Sequence, residues 1–373
     1  MMKSPFYTDL QVQIAALGGM HNAHIHLDRA NTLADGYVDH GRVHVLESSH
    51  ISLQKKHALI RTVHEGPAYD PPDLDRRARE TIDVMVAANT RLADTMVDCT
   101  ADRVGTHALS QLMDLAAEVR DQIQIRCAAY TPLGFRNSEP ERWRIFEQGV
   151  QMADFIGSLP EADDVLDYPD NIGFEEHCVR MLDLVKRTGK FLHVHTDQIN
   201  SPGEDGTERL IKVMQRETGR LEGADGQPLV WTVHMISPST YDEPRWERFV
   251  QDMLALNIGV ICCPSAAIGM RQLRAIATPM YNSIPRVLEL AEAGVPIRLG
   301  SDNIADMCSP STTADMTEEV FTLSAAVRYY RPEILAKFAA GAALSPDERA
   351  IIREHLDRNN EEMAKLVQRF GPK

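Results

Sequence analysis

Several large classes of protein are closed to this chain by what it lacks. No run approaches the roughly 18 consecutive apolar residues needed to span a membrane, and no basic-then-apolar segment of signal-peptide type opens the sequence. A cytoplasmic location is the resulting expectation. The glycine fingerprints of open nucleotide-binding sheets, G-x-G-x-x-G and the P-loop, are missing. The six cysteines, at 99, 127, 178, 262, 263 and 308, show no framework spacing and no C-x-x-C pair, so they read as reduced core residues. Positive charge is in deficit: the net charge of −15 disfavours nucleic acid and anionic membrane as partners. An anionic substrate stays open, because local arginines can override the global field. Lys55-Lys56-His57 and Arg76-Arg77 read as solvated faces. Low-complexity tracts and short repeats are also absent. The chain's 373 residues suffice for one large barrel or two ordinary domains.

What is there begins with Gly18-Gly19-Met20-His21-Asn22-Ala23-His24-Ile25-His26-Leu27-Asp28. On a strand, residues i and i+2 point the same way, so His24 and His26 can present two imidazoles to one point. Two converging neutral imidazoles are the usual start of a transition-metal site. Further on come Phe191-Leu192-His193-Val194-His195-Thr196-Asp197, Leu229-Val230-Trp231-Thr232-Val233-His234 and Ile297-Arg298-Leu299-Gly300-Ser301-Asp302. Each is a β-type run that ends in a ligand-type residue and runs into turn residues. Such placement predicts parallel strands ending at a common mouth, the layout of a (β/α)8 TIM barrel in the α/β class.

Eight β-type runs support that fold: 19–27, 96–102, 123–130, 155–160, 191–197, 229–236, 257–264 and 296–302. Helix-type stretches with a 3.6-residue period lie between them, including Thr106–Arg120, Phe174–Thr188 and Ile284–Ala293. Residues 1–373 therefore read as one domain. The 28–95 stretch is an insertion with a helix at about 74–94, expected to form a lid or substrate wall. The C-terminus, 317–373, is helical, with a last helix at about 346–369.

His24, His26, His195, His234 and Asp302 could hold a divalent ion, Zn²⁺ or alternatively Fe²⁺, with a place left for water. The ion would lower the pKa of that water and supply hydroxide for attack on a carbonyl or amidine carbon. Asp302 would serve as general acid/base, while His234 would either ligate the metal or bond the developing oxyanion. The motif set resembles the amidohydrolase superfamily of metal-dependent barrels. It is most similar to the branch holding cytosine deaminase and N-isopropylammelide amidohydrolase. Ala23-His24-Ile25-His26-Leu27-Asp28 matches that branch's H-I-H-L-D. Val194-His195-Thr196-Asp197-Gln198-Ile199 resembles V-H-C-D-E-I, and Ser301-Asp302-Asn303-Ile304-Ala305-Asp306 resembles S-D-N-I-x-D. The resemblance spans about 19–320. It implies that His24, His26, His195 and Asp302 ligate one metal, with His234 against the metal-bound hydroxide.

Three departures accompany it. Gln198 stands where cytosine deaminase has a proton-shuttling glutamate, and an amide cannot titrate. The strand-3 end, Thr131-Pro132-Leu133-Gly134-Phe135, lacks the amide that reads the pyrimidine. Most of the accessory β-sandwich is absent. Strand 4 offers no lysine for carbamylation, which disfavours two metals; Glu161 is the one alternative bridging group there. The expected activity is hydrolysis of a C–N bond in a cyclic amide, amidine or amino-substituted heterocycle, with Gln198 facing the pocket. The alternatives are an ordinary aminoheterocycle deaminase using Asp197 or a lid carboxylate, and a non-catalytic metal- or ligand-binding barrel. Candidate substrate contacts are Gln198, Asp197, Thr131, Phe135 and Ser265, with Cys263 and Trp231 held loosely. Arg271 and Arg274 could grip a carboxylate or be ordinary surface residues. The partner is a small-molecule substrate, with a homo-oligomer left open.

Overall fold

A computed structural model describes residues 4–38, 53–270 and 283–370 of the chain. Its eight strands form one parallel sheet in sequence order. They are β1 (Met20–Ile25), β2 (Thr90–Asp98), β3 (Gln124–Tyr130), β4 (Phe155–Ser158), β5 (Leu192–Thr196), β6 (Val230–His234), β7 (Ile258–Cys262) and β8 (Ile297–Leu299). The sheet closes where β8 returns to β1. Asp302 N donates to His24 O at 2.9 Å and His26 N donates to Asp302 O at 3.3 Å. The seam of the barrel thus runs through the backbone of three ligand-type residues. The strands are almost wholly buried, as expected of a parallel sheet covered by helices on its outer face.

The helices are α1 (Pro5–Ala16), α2 (Leu53–Glu65), α3 (Pro71–Ala87), α4 (His107–Glu118), α5 (Pro140–Met152), α6 (Phe174–Thr188) and α7 (Gly206–Glu217). After these come α8 (Glu243–Leu256), α9 (Pro264–Ile268), α10 (Val287–Ala293), α11 (Met316–Val327), α12 (Pro332–Ala340) and α13 (Pro346–Phe370). The C-terminal helices fall where the periodicity predicts them. None of the described helices is long and apolar enough to cross a membrane.

The region before β2 differs from its sequence reading. The helix ends at Ala87 rather than near 94, and β2 begins at Thr90 rather than Met96. Asn89 takes a left-handed φ of 63°, which breaks the helix, and Thr90 then pairs with Met20. Apolar residues resume at Leu92 and Ala93 after the short polar stretch Asn89-Thr90-Arg91, so periodicity alone carries the helix too far. α3 packs beside α4 and β2 as part of the outer helix layer. Arg77 is not on a solvated face. It is fully buried, bonds Asp73, and donates to the backbone oxygens of Asp28, Ala30 and Ala68. α2 sits over the C-terminal ends of the strands: His64 bonds Asp98 and Asp102 beyond β2, and Lys56 Nζ reaches Cys308 O beyond β8 at 3.3 Å.

Candidate metal centre

β1 and β5 each point alternate side chains inward, and β6 and β8 bring one more each. His24 Nε2 lies 3.0 Å from His195 Nε2 and 3.6 Å from Asp302 Oδ1, and His26 Nε2 lies 3.4 Å from the same oxygen. The potential ligand atoms of His24, His26 and Asp302 lie within 4.8 Å of one another, as do those of His24, His195 and His234. An ion with bonds of about 2.1 Å sets tetrahedral ligand atoms about 3.4 Å apart, close to the separations of His24 and His26 from Asp302. The two clusters share His24. His234 and Asp302 adopt left-handed φ of 74° and 62°, turning the chain sharply at the strand ends.

The electrostatics favour a ligand state. Burial pushes His26 down to about 3, aided by Arg29, and pushes His234 down to about 4. Burial and the neighbouring imidazoles hold His195 well below its usual range. These rings are neutral at neutral pH, as ligation requires. Burial alone would raise Asp302, but hydrogen bonds with His24 and His26 outweigh it and hold the carboxyl well below its usual range.

The outward nitrogens of the rings are treated differently. His195 Nδ1 donates to Ser158 O at 2.9 Å, and the Ser158 hydroxyl is 2.9 Å from His177 Nε2. His177 Nδ1 bonds Asp163 at 2.6 Å. Ser158, His177 and Asp163 have the connectivity of a nucleophilic triad, yet all three are sealed in the core, and their chain ends on the backbone oxygen that anchors His195. Arg29 Nη2 meets His26 Nδ1 at 2.6 Å. The Nδ1 atoms of His24 and His234 are buried without a partner.

Gln198 is buried, and its Nε2 donates to Glu161 Oε2 at 2.8 Å, so one of its two donor hydrogens is already committed within the protein. Asp197 bonds the backbone and hydroxyl of Thr207 at the start of α7, which makes it a helix anchor rather than a group facing the ligands. Thr131 is buried in the turn after β3, with Leu133 N 3.4 Å from its hydroxyl. Phe135 is a correction: it packs among Trp143, Phe146 and His177, outside the ligand cluster. Trp231 is another, lying near the start of β6 and lining a cavity with Pro296, Phe338 and Gly341 at the opposite end of the barrel. Ser265 donates its backbone N–H to Glu319 at 2.8 Å, and Cys263 is buried in the apolar cluster around Trp231. Arg271 and Arg274 lie outside the described residues.

Sequence reasoning passed over Tyr130 and Arg29. The Tyr130 ring centre is 5.5 Å from that of His26 and 5.2 Å from that of His195. Its signal was its place as the last residue of β3. Arg29 directly follows the H-x-H-L-D motif, yet nothing in the motif says that it folds back onto His26.

Gly300 is where β8 must approach β1 closely. A Cβ there would sit 2.8 Å from the Cβ, N and O of His24. Gly300→Ala is expected to cost about 1–3 kcal/mol by overpacking and to weaken zinc binding by displacing His24. Thermal unfolding and a zinc titration check both effects.

No protein-family model matches the chain. An uncharacterized protein of Haemophilus influenzae is 29% identical over 282 residues, covering 75% of this chain and 92% of that one. Among solved structures, 5-methylcytosine deaminase from Klebsiella pneumoniae liganded with 5-fluorocytosine matches with a TM-score of 0.66 and 21% identity, over 86% of this chain and 72% of that one. N-isopropylammelide isopropylaminohydrolase from Burkholderia multivorans matches with a TM-score of 0.61 and 19% identity, over 86% and 72% of the two chains. A point mutant of atrazine chlorohydrolase from Arthrobacter aurescens, complexed with zinc and atraton, matches with a TM-score of 0.53 and 14% identity, over 89% and 68%. At these identities the likeness is one of fold: the chain is a (β/α)8 barrel of the kind those enzymes share.

Proposed function

We propose that the chain is an amidohydrolase-type enzyme that holds one divalent metal and hydrolyses a C–N bond in a cyclic amide, amidine or amino-substituted heterocycle. The observation that supports this reading is a pair of clusters that share His24, one with His26 and Asp302 and one with His195 and His234, at the C-terminal ends of β1, β5, β6 and β8. Zinc suits three imidazoles and a carboxylate, with iron(II) as the other option. When bound, the ion acts as a Lewis acid that lowers the pKa of water.

The chain's own groups do the rest. Asp302 accepts a proton from the attacking water and passes it to the leaving nitrogen. His234 stands 6.1 Å from His24, ring centre to ring centre, where it can bond the developing oxyanion. Gln198, one donor hydrogen held by Glu161, offers its oxygen to a ring N–H. Ligation through His26 Nε2 puts the proton on Nδ1, which requires Arg29 to give up its contact there; Asp98, its Oδ2 3.8 Å from Arg29 Nη1, is the carboxylate beside it. α2, within the 28–95 insertion, serves as a lid or wall over the mouth, and Arg271 and Arg274 remain candidates for gripping an acidic group.

One observation favours the aminoheterocycle deaminase as a second reading. Glu161 puts a carboxylate directly behind Gln198, and burial together with Glu204 and Asp197 raises it well above its usual range. It could carry the proton that Gln198 cannot. Metal analysis of protein purified without chelator should give one ion per chain, and a screen of ring amides and aminoheterocycles should show ammonia or amine release. A metal-free protein would sink both readings. Glu161→Gln then separates them: turnover falls by about 10²–10⁴ if Glu161 shuttles protons and stays within a fewfold of wild type if Asp302 works alone.

A further inference from the structure

β5 carries a second inward histidine one step below the ligand His195. His193 is fully buried, and neither of its ring nitrogens has a hydrogen-bond partner. Its ring lies 4.7 Å from Phe155, 5.3 Å from Phe191 and 6.0 Å from His24, centre to centre. Burying an imidazole among phenyl rings without a partner is unfavourable, because its hydrogen bonds to water are not replaced. A leucine or phenylalanine would fill the layer without that cost, so filling space is not enough to account for a histidine here.

The nearby group with a matching need is His24. A histidine that binds a metal through Nε2 carries its proton on Nδ1 and normally donates it to a fixed acceptor. His195 does so toward Ser158 O, whereas His24 Nδ1 is buried with no partner. Two imidazoles in direct hydrogen bond have centres about 5 Å apart. At 6.0 Å between centres the two rings are not in direct hydrogen bond, and a link between them would need one intervening water. Such a water accepts from His24 Nδ1–H and donates to the free nitrogen of a neutral His193.

We propose that His193 is a positioning residue for the metal centre, holding His24 in its Nε2-ligating tautomer through one buried water. The inference rests on the metal reading above and adds to it a residue that is not itself a ligand. It explains why β5 repeats H-x-H when only its second histidine reaches the ligand cluster.

The test is zinc affinity by competition with a chromophoric chelator, on wild type, His193→Phe, His193→Asn and His193→Gln. His193→Phe should weaken zinc binding about 10- to 100-fold, while the metal-free protein unfolds no earlier than wild type. The amides can still accept a hydrogen bond, so at least one should recover part of the loss. A zinc-loaded crystal structure of the wild type should show the water between the two rings. His193→Phe binding zinc within threefold of wild type overturns the inference, as does a zinc-loaded structure with His24 Nδ1 bonded to another group. If His193→Phe does not fold, that structure and the amide variants decide. A wild type that takes up no zinc or other divalent ion instead removes the metal reading itself, a different and recognisable failure.

Discussion

Asp302→Asn should leave the barrel folded and lower turnover by about 10²–10⁴ on whichever ring amide or aminoheterocycle the wild type opens. The fold survives because the seam between β1 and β8 uses the backbone of residue 302, through its N–H to His24 O and its carbonyl to His26 N. Asparagine also tolerates the φ of 62° found there. What is lost is charge and proton capacity. The wild-type Oδ1 lies 3.4 Å from His26 Nε2 and accepts from Asn303 Nδ2 at 3.1 Å. An amide can keep an oxygen toward those neighbours, but it carries no charge and cannot take up a proton. Zinc affinity should fall as well, which a chelator competition measures independently of substrate. Near-normal turnover would move the acid/base role elsewhere. Glu161 is then the first suspect, since Asp197 is tied to Thr207.

His64→Leu should be the most damaging single change outside the metal centre, at about 3–5 kcal/mol. His64 is buried between two carboxylates, with Nε2 2.9 Å from Asp98 and Nδ1 2.8 Å from Asp102, and it ties α2 to the mouth end of β2. Burial alone would lower its pKa, but hydrogen bonds to Asp102 and Asp98 and their charge outweigh that and lift it to about 9. Leucine leaves Asp98 buried with Tyr69 and Arg29 as its remaining polar neighbours. The pH dependence has a definite sign. The folded state binds the proton more tightly than the unfolded chain, whose histidine titrates near 6.5. The stabilisation is therefore complete below about pH 6.5 and is lost as pH rises through about 9. Wild-type unfolding free energy should fall across that window by up to about 1.4 kcal/mol per pH unit, with a matching decline in melting temperature, and His64→Leu should show a much flatter profile. Hydrogen exchange of α2 should rise in the same window. An equal decline in both proteins would assign the effect to other groups.

α2 is held over the strand ends by His64 on Asp98 and Asp102 and by Lys56 on Cys308 O.

What could be read from the sequence alone is what repeats along a single strand or helix. His24 with His26, His195, His234 and Asp302 were legible because a strand alternates its side chains and ends at a turn, so ligand-type residues in those places declare both direction and depth. The eight strands and the C-terminal helices were legible for the same reason, since their periods are local. The β2 boundary was not: only pairing with Met20 decides that Thr90 is already strand.

The tertiary structure decided everything that depends on the register between strands and the packing of loops across the mouth. It placed Phe135 in the aromatic core and Trp231 at the far end of the barrel, and it committed Gln198 to Glu161. It also set what surrounds the outer nitrogen of each clustered histidine: a carbonyl from β4 for His195, Arg29 for His26, and for His24 no hydrogen-bond partner. A strand's pattern states where its own side chains point, whereas their partners come from strands far away in sequence. Those partners are set by the closure of the barrel, which no local pattern encodes.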